Sequence, residues 1–150
     1  MDASAIDRQY RPLPARVRAF LAAPRFASLA TIDPDGAPRQ SVVWYLLDGD
    51  TIVVNSKVGR RWPANLVRDS RVATSVIDST DGYRWVGLTG HVEVEDDPAQ
   101  ALADISAMAR RYYTDEPDRA ERLIERTFRR QRRISFRIRV DQLHDHLDND

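Results

Sequence analysis

Three cationic side chains cluster around one glycine in the middle of the chain. Lys57, Arg60 and Arg61 flank Gly59, and a predicted helix begins directly after them with Pro63 in its first turn. Proline is tolerated at that position because its missing N–H would have no partner within the helix. The helix start therefore offers free backbone N–H groups and a positive dipole end beside three cations. This combination predicts an anion site, above all for a phosphate.

The residues alone also leave open a simpler interpretation, in which the cluster is a solvated basic loop. The segment lacks the glycine-rich run followed by Lys and Ser/Thr that marks a P-loop, so the signal is weaker than that motif. One detail favours a specific role, since Lys57 is the only lysine in a chain that otherwise uses arginine.

No other group of side chains makes a convincing catalytic set. His144 and His146 stand near Asp145 and Asp148 in the C-terminal segment, but no rigid element supplies a further ligand, so we predict no metal site. His91 falls on a predicted strand and is interpreted as a surface or interface residue. The chain has no cysteine and no Gly-x-Ser-x-Gly elbow. If the protein is an enzyme, a bound cofactor must carry the reaction.

Composition limits the partners that the chain can have. Lys+Arg and Asp+Glu both number 23, so the formal net charge is zero and nothing indicates binding to nucleic acid or to an anionic membrane. The arginine-rich run at 126–133 follows interleaved glutamates and is interpreted as a solvated helix surface or a subunit contact. The N-terminal segment does not resemble a secretory signal, and no apolar run is long enough to span a bilayer. These features predict a cytoplasmic protein.

Short strands precede the cationic cluster. An amphipathic helix is predicted within 12–24, followed by strands over 26–32, 38–47 and 51–54. The turn at 33–36 contains Pro and Gly in positions that suit a tight reversal. The third strand is β-branched throughout and is expected to leave the sheet at Asn55 and Ser56.

The rest of the chain adds three strands and three helices. Gly90 interrupts the alternation of the fifth strand, which predicts a bulge there, and Asp97 is a candidate N-cap. The predicted helices cover 62–68, a segment after Asp97, and 118–130, and the remaining strands cover 72–78, 83–95 and 134–140. The fold class is therefore mainly β (α+β), a small antiparallel barrel of six strands with flanking helices. We expect one domain over 1–150, with 1–11 and 144–150 flexible.

Four segments together resemble the pyridoxamine 5′-phosphate oxidase-like flavoproteins, whose fold is a split β-barrel. More narrowly, they are similar to the deazaflavin-dependent branch of actinobacteria, whose members use coenzyme F420. The segments are FASLATIDPDGAPRQSVVWY, DTIVVNS, GRRWPANLVRDSRVATSVID and YRWVGLTGHVEVEDD. Their order and spacing, over about residues 15 to 115, carry the resemblance.

The resemblance implies a homodimer with two cofactor sites at the subunit interface. It places the cofactor phosphate at Asn55, Ser56, Lys57, Arg60, Arg61 and Asn65. It places the ring system over a strand that offers backbone groups, formed by Gln40, Ser41, Val42, Val43 and Trp44. Members of the family often carry a lysine three residues before the Asn of an Asn-Leu pair, and this chain has Trp62 there.

The activity that the resemblance implies is hydride transfer between the deazaflavin and a small organic acceptor. No side chain then has to act as a nucleophile, and a proton donor could be solvent, Tyr45 or Tyr83. Two alternatives stay open, an FMN-dependent oxidase or reductase of the same fold and a non-catalytic protein that stores or carries F420.

Overall fold

The computed structural model describes residues 12–148. The α-helices are α1 (Ala15–Ala22), α2 (Arg61–Arg68), α3 (Pro98–Tyr112) and α4 (Pro117–Arg126), and a short 3-10 helix covers Phe128–Arg130. The strands are β1 (Ala27–Ile32), β2 (Pro38–Val43), β3 (Leu46–Asp48), β4 (Thr51–Lys57), β5 (Arg71–Ile77), β6 (Trp85–Glu95) and β7 (Arg133–His146). None of the helices in this part of the chain has the length and apolar character needed to cross a membrane.

All strands belong to one antiparallel sheet in the order β2-β1-β5-β6-β7-β4-β3. The two edge strands, β2 and β3, are separated in sequence only by Trp44 and Tyr45. The sheet therefore curls until a single stretch of chain passes from one edge to the other, which is the split barrel that the sequence predicts. The prediction of one strand over 38–47 is wrong, because this passage divides it, and the sheet has seven strands where six were expected.

Two clusters of buried side chains hold the barrel together. The larger fills the concave side of the sheet, where Tyr45 and Phe136 are fully buried and α1 contributes Phe20 and Leu21. The smaller lies between β4 and the helices α3 and α4, and its buried members are Val53, Ile105, Met108, Ala109, Ala120, Ile124 and Phe128. Because of this second cluster, β4 and the start of β7 are covered on both faces, and this buries polar residues there.

Three element boundaries differ from the sequence predictions, each because of tertiary pairing. β4 continues through Asn55 and Ser56 to Lys57, since these residues pair with the start of β7. The helix predicted over 118–130 ends at Arg126, and Phe128 turns into the second cluster from a short 3-10 helix. β7 continues past the predicted end at residue 140 to His146, because its last residues pair with the start of β6. Residues 1–11 and 149–150, which belong to the two segments predicted to be flexible, lie outside the described part of the chain.

Other local predictions are confirmed. Asp97 caps α3, its carboxylate accepting a hydrogen bond from the Ala99 N–H at 3.0 Å. Gly36 takes a φ of 88° in the β1–β2 turn, a conformation that glycine adopts without strain.

The bulge predicted at Gly90 is present as a register shift between Thr89 and Gly90 against β7. A side chain at position 90 would collide with the Arg139 carbonyl oxygen of the neighbouring strand. We therefore expect Gly90→Ala to lower the free energy of unfolding by about 1 to 3 kcal/mol, measured by urea denaturation. Gly82→Ala is the matched control, since a Cβ there meets open space, and it should change stability by less than about 0.5 kcal/mol. Equal stability of the two variants would contradict the close approach.

Candidate cofactor-binding site

The cationic cluster lies where β4 ends and α2 begins. Arg60 is the N-cap residue of α2, and no side chain caps this end of the helix. Pro63 has no N–H, so the first turn of α2 offers the N–H groups of Arg61 and Trp62 to an external acceptor. Gly59 has a φ of 105° and makes the reversal between strand and helix. The predicted anion site thus has the local geometry expected from the sequence.

Three cavities meet at Arg60, which lines all of them. The loop cavity, about 390 Å³, is lined by Lys57, Val58, Gly59, Arg60 and Gln131. The helix cavity, about 550 Å³, is lined by Asp33, Pro34, Asp35, Gly59, Arg60, Arg61, Ala64, Asn65 and Arg68. The inner cavity, about 270 Å³, is lined by Val42, Val43, Trp44, Asn55, Ser56, Arg60, Trp62, Ile105, Met108, Thr127, Phe128, Gln131 and Arg133.

The charges of these cavities differ. The loop cavity contains Lys57 and Arg60 and no carboxylate, so it is the more favourable of the two outer cavities for an anion. In the helix cavity, Asp33 partly offsets the arginines. Hydrogen bonds from Arg39 and then Asn65 hold the pKa of Asp33 below its ordinary value, so this carboxylate stays charged at neutral pH.

The two asparagines predicted to hold the phosphate have their amides bonded within the protein. Asn55 donates to the Ala101 carbonyl oxygen at 2.9 Å and to Ser135 Oγ at 2.8 Å. Asn65 donates to Thr31 Oγ1 at 3.1 Å and to Asp33 Oδ1 at 2.8 Å. Both side chains therefore position the strands and the helix around the cluster.

The predicted ring-binding strand is only partly gathered at the cavities. Val42, Val43 and Trp44 line the inner cavity, whereas Gln40 and Ser41 line none of the three. The Tyr112 ring stacks on Trp44, with 5.0 Å between the ring centroids and 8° between the ring planes, and this contact fixes the orientation of Trp44. The inner cavity therefore has a fixed aromatic wall next to a cationic side chain.

Ser56 supplies a test of whether a polar ligand fits here. Its side chain is 1% exposed, lines the inner cavity, and its Oγ has no hydrogen-bond partner among residues 12–148. A buried hydroxyl without a partner costs free energy, about 1 to 3 kcal/mol. A ligand oxygen at this position would satisfy it, so the cavity fits a group that carries polar oxygens next to an apolar ring.

Arg133 is a site residue that sequence reasoning missed, since it was grouped with the arginines at 126–133. It is 6% exposed and lines the inner cavity. Burial, together with the positive charge of Arg60, lowers the pKa of Arg133 to about 10. No local signal separates it from an exposed arginine, because along β7 it shares the face of Ser135 and Arg137, which the alternation predicts to be wet. The rest of the run is solvated as predicted, with Arg129 paired to Glu125 and Arg132 to Asp96.

The remaining candidates lie elsewhere. Burial raises the pKa of Tyr45 to about 12, and its hydroxyl contacts the Leu21 and Ala23 carbonyls in the core. Tyr83 is 82% exposed and lines none of the three cavities. His91 contacts Asp141 at 2.6 Å and lines a separate cleft.

The two carboxylates near His144 and His146 also have partners. Asp145 and Asp148 both pair with Arg16, at 2.6 Å each, and His146 stacks on Trp85. No group of three or more candidate metal ligands occurs within residues 12–148.

The family model for pyridoxamine 5′-phosphate oxidase matches residues 13–144. No match was found among curated proteins.

Several solved structures share the fold. An F420 reductase is 24% identical, with a TM-score of 0.69 over 88% of this chain and 98% of that one. A conserved hypothetical protein of Mycobacterium tuberculosis is 23% identical, with a TM-score of 0.72 over 93% of this chain and 90% of that one. The haem storage protein HutZ of Vibrio cholerae is 16% identical, with a TM-score of 0.64 over 90% of this chain and 95% of that one. At such identities the likeness concerns the fold, and the family match over residues 13–144 shows that the chain belongs to the pyridoxamine 5′-phosphate oxidase family.

Proposed function

We propose that the protein is a cytoplasmic F420-dependent oxidoreductase that transfers a hydride between the deazaflavin and a small organic acceptor. The observation that carries the proposal is the junction of the loop cavity and the inner cavity at Arg60. A cationic loop there adjoins a cavity with an aromatic wall at its mouth. A ring-bearing coenzyme with an anionic linker needs a cationic loop beside such a wall. The F420 reductase among the structural neighbours supports the choice of coenzyme.

In this proposal Lys57, Arg60 and Arg61 bind the phosphate, together with the free N–H groups of α2. Val42, Val43 and Trp44 support the ring at the mouth of the inner cavity, where Val42 is 78% exposed, and the interior of the cavity is left for the acceptor. Tyr112 fixes the orientation of Trp44. When bound, the deazaflavin supplies hydride transfer at its carbon 5 and disfavours one-electron chemistry with oxygen. The task of the chain is to hold coenzyme and acceptor in contact and to exclude water from them.

The proposal includes a homodimer that completes each site. Three strongly exposed apolar side chains line one surface groove, with Phe26 64%, Val42 78% and Ile77 52% exposed. Val42 also lines the inner cavity. A second copy of the chain bound at this groove would bury the apolar surface and would also form one wall of the cofactor site. A monomer in light-scattering measurements would contradict this part of the proposal.

A non-catalytic binding role is the second candidate, and one observation favours it. Among residues 12–148, none of the side chains that line the inner cavity is a carboxylic acid, histidine, tyrosine or cysteine, so these residues offer the cavity no proton donor that titrates near neutral pH. One of the structural neighbours is a storage protein.

Titration of the purified protein with F420 and with FMN, followed by quenching of ligand fluorescence, separates these possibilities. We expect F420 to bind more tightly than FMN, and reduced F420 to be oxidised in the presence of a quinone, enone, nitro or tetrapyrrole acceptor. Binding without turnover across that panel would favour the storage role. Co-purification of FMN with a flavin spectrum would indicate the FMN-dependent alternative, and failure to bind either form of F420 would overturn the proposal.

A further inference from the structure

Arg133 is a buried cation without a countercharge. Its Nε donates to Asn55 Oδ1 at 2.9 Å and its Nη1 donates to Gln131 Oε1 at 2.6 Å. Its guanidinium carbon lies 4.7 Å from the centroid of the Phe128 ring. All these partners are neutral, and no carboxylate within residues 12–148 forms an ion pair with it.

Burying a charge in this way is costly unless something opposite in sign approaches it. A charged neighbour makes the burial of Arg133 more costly, because Arg60 is also cationic and lowers the pKa of Arg133 further. The two amide oxygens orient the guanidinium but do not neutralise it. Its Nη2 donates no hydrogen bond to any residue of 12–148 and is not sealed from solvent, so its N–H groups remain available at the inner cavity.

The rest of the inner cavity has both apolar and polar walls. The apolar walls include the side chains of Trp44, Trp62, Ile105, Met108 and Phe128. The polar walls are formed by Asn55, Ser56, Thr127 and Gln131 with the cation Arg60, and no carboxylate of residues 12–148 lines the cavity. The volume of about 270 Å³ is at the small end of the range for ligand pockets. Two cations line this cavity, and the proposed function assigns Arg60 to the phosphate. Arg133 is then the oriented cation available to the carboxylate of an organic acid whose ring lies against the apolar walls.

We propose that Arg133 is a substrate-specificity residue, and that the acceptor of this protein is a small planar organic acid whose carboxylate binds the Arg133 guanidinium in the inner cavity. The inference rests on the proposed function only where it calls the bound acid the hydride acceptor. The binding site itself does not require the coenzyme. The phosphate loop and Arg133 are then two separate anion sites, one exposed for the cofactor and one buried for the substrate.

Calorimetric titration of the cofactor-free protein with trans-cinnamate and with cinnamamide tests the site. The two probes have the same shape and differ in charge. We expect the wild-type protein to bind the acid at least about tenfold more tightly than the amide, because a hydrogen bond to a charged group is stronger than one to a neutral group. Equal affinities, or no binding of the acid, would overturn the proposal.

Arg133→Gln should bring the two affinities together, whereas Arg132→Gln should leave their ratio unchanged. Arg132 is the matched control because it is next in sequence, exposed, paired to Asp96 and absent from the lining of the cavity. A ratio that survives Arg133→Gln contradicts the proposal. Should that variant fail to fold, wild-type crystals soaked with cinnamate decide the matter, since a carboxylate bound away from Arg133, or no bound probe, would refute it.

Titration with both cinnamate and F420 distinguishes this inference from the proposed function. We expect cinnamate and F420 to bind together, and mutual displacement would assign the acid site to the cofactor and overturn the substrate assignment. If F420 fails to bind while the acid preference and its loss in Arg133→Gln are observed, the proposed function falls and the acid site stands.

Discussion

Replacing Arg60 and Arg61 together by alanine will weaken F420 binding by about 2 to 4 kcal/mol, which is about 30-fold to several hundred-fold in Kd. Each arginine is expected to make a charge-assisted hydrogen bond to the phosphate. The expected loss of binding free energy is less than the sum of two such hydrogen bonds, because both side chains are exposed in the free protein and solvent screens their charges. Fluorescence titration of the double variant against the wild type measures the effect, and stability should change little.

The control for this variant is Arg119→Ala with Arg122→Ala on α4, which removes the same charge. Neither residue lines the three cavities at Arg60. If the two double variants lose affinity equally, the effect is one of net charge and the placement of the phosphate at the loop is refuted.

Asn55→Ala will destabilise the fold by about 2 to 4 kcal/mol in urea denaturation. The substitution removes two buried hydrogen bonds that Asn55 donates, to Ala101 and Ser135, and the one that it accepts from Arg133. The Arg133 Nε is then left in the interior without an acceptor. This third effect makes the expected loss larger than that of an ordinary buried amide.

Gln131→Ala provides the comparison for Asn55→Ala. Gln131 is half-buried and accepts a single hydrogen bond from Arg133, so its removal should cost about 1 kcal/mol. Similar losses in the two variants would mean that Asn55 is not the main support of Arg133.

Local chemistry was sufficient to predict much of the backbone geometry around the candidate site. The glycine between cations, the helix start with proline, the N-cap Asp97 and the bulge at Gly90 depend on a few neighbouring residues, and the structure has each of them. The pairing of Asn55 and Ser56 within β4 was missed because the β-branched run stops at Val54. Their extension of the strand depends on β7, which lies far along the chain.

Features set by long-range packing could not be predicted. The segment 38–47 alternates as one strand, and only the closure of the sheet makes Trp44 and Tyr45 leave it for opposite clusters. Similarly, the alternation of β7 indicates one wet face, and that face is dry at Arg133 because α3 and the 3-10 helix with Phe128 cover it. The sequence therefore presents Arg133 as a surface residue, although in the fold it lines the inner cavity.

The central claim is that the polypeptide holds a redox coenzyme by its anionic linker at the end of β4. A crystal structure of the complex with F420 tests this most directly. We predict the phosphate within hydrogen-bond distance of Arg60 or Arg61 and of the first N–H groups of α2, with the ring beside Val42 to Trp44. Coenzyme bound elsewhere, with both arginines facing solvent, would contradict the account.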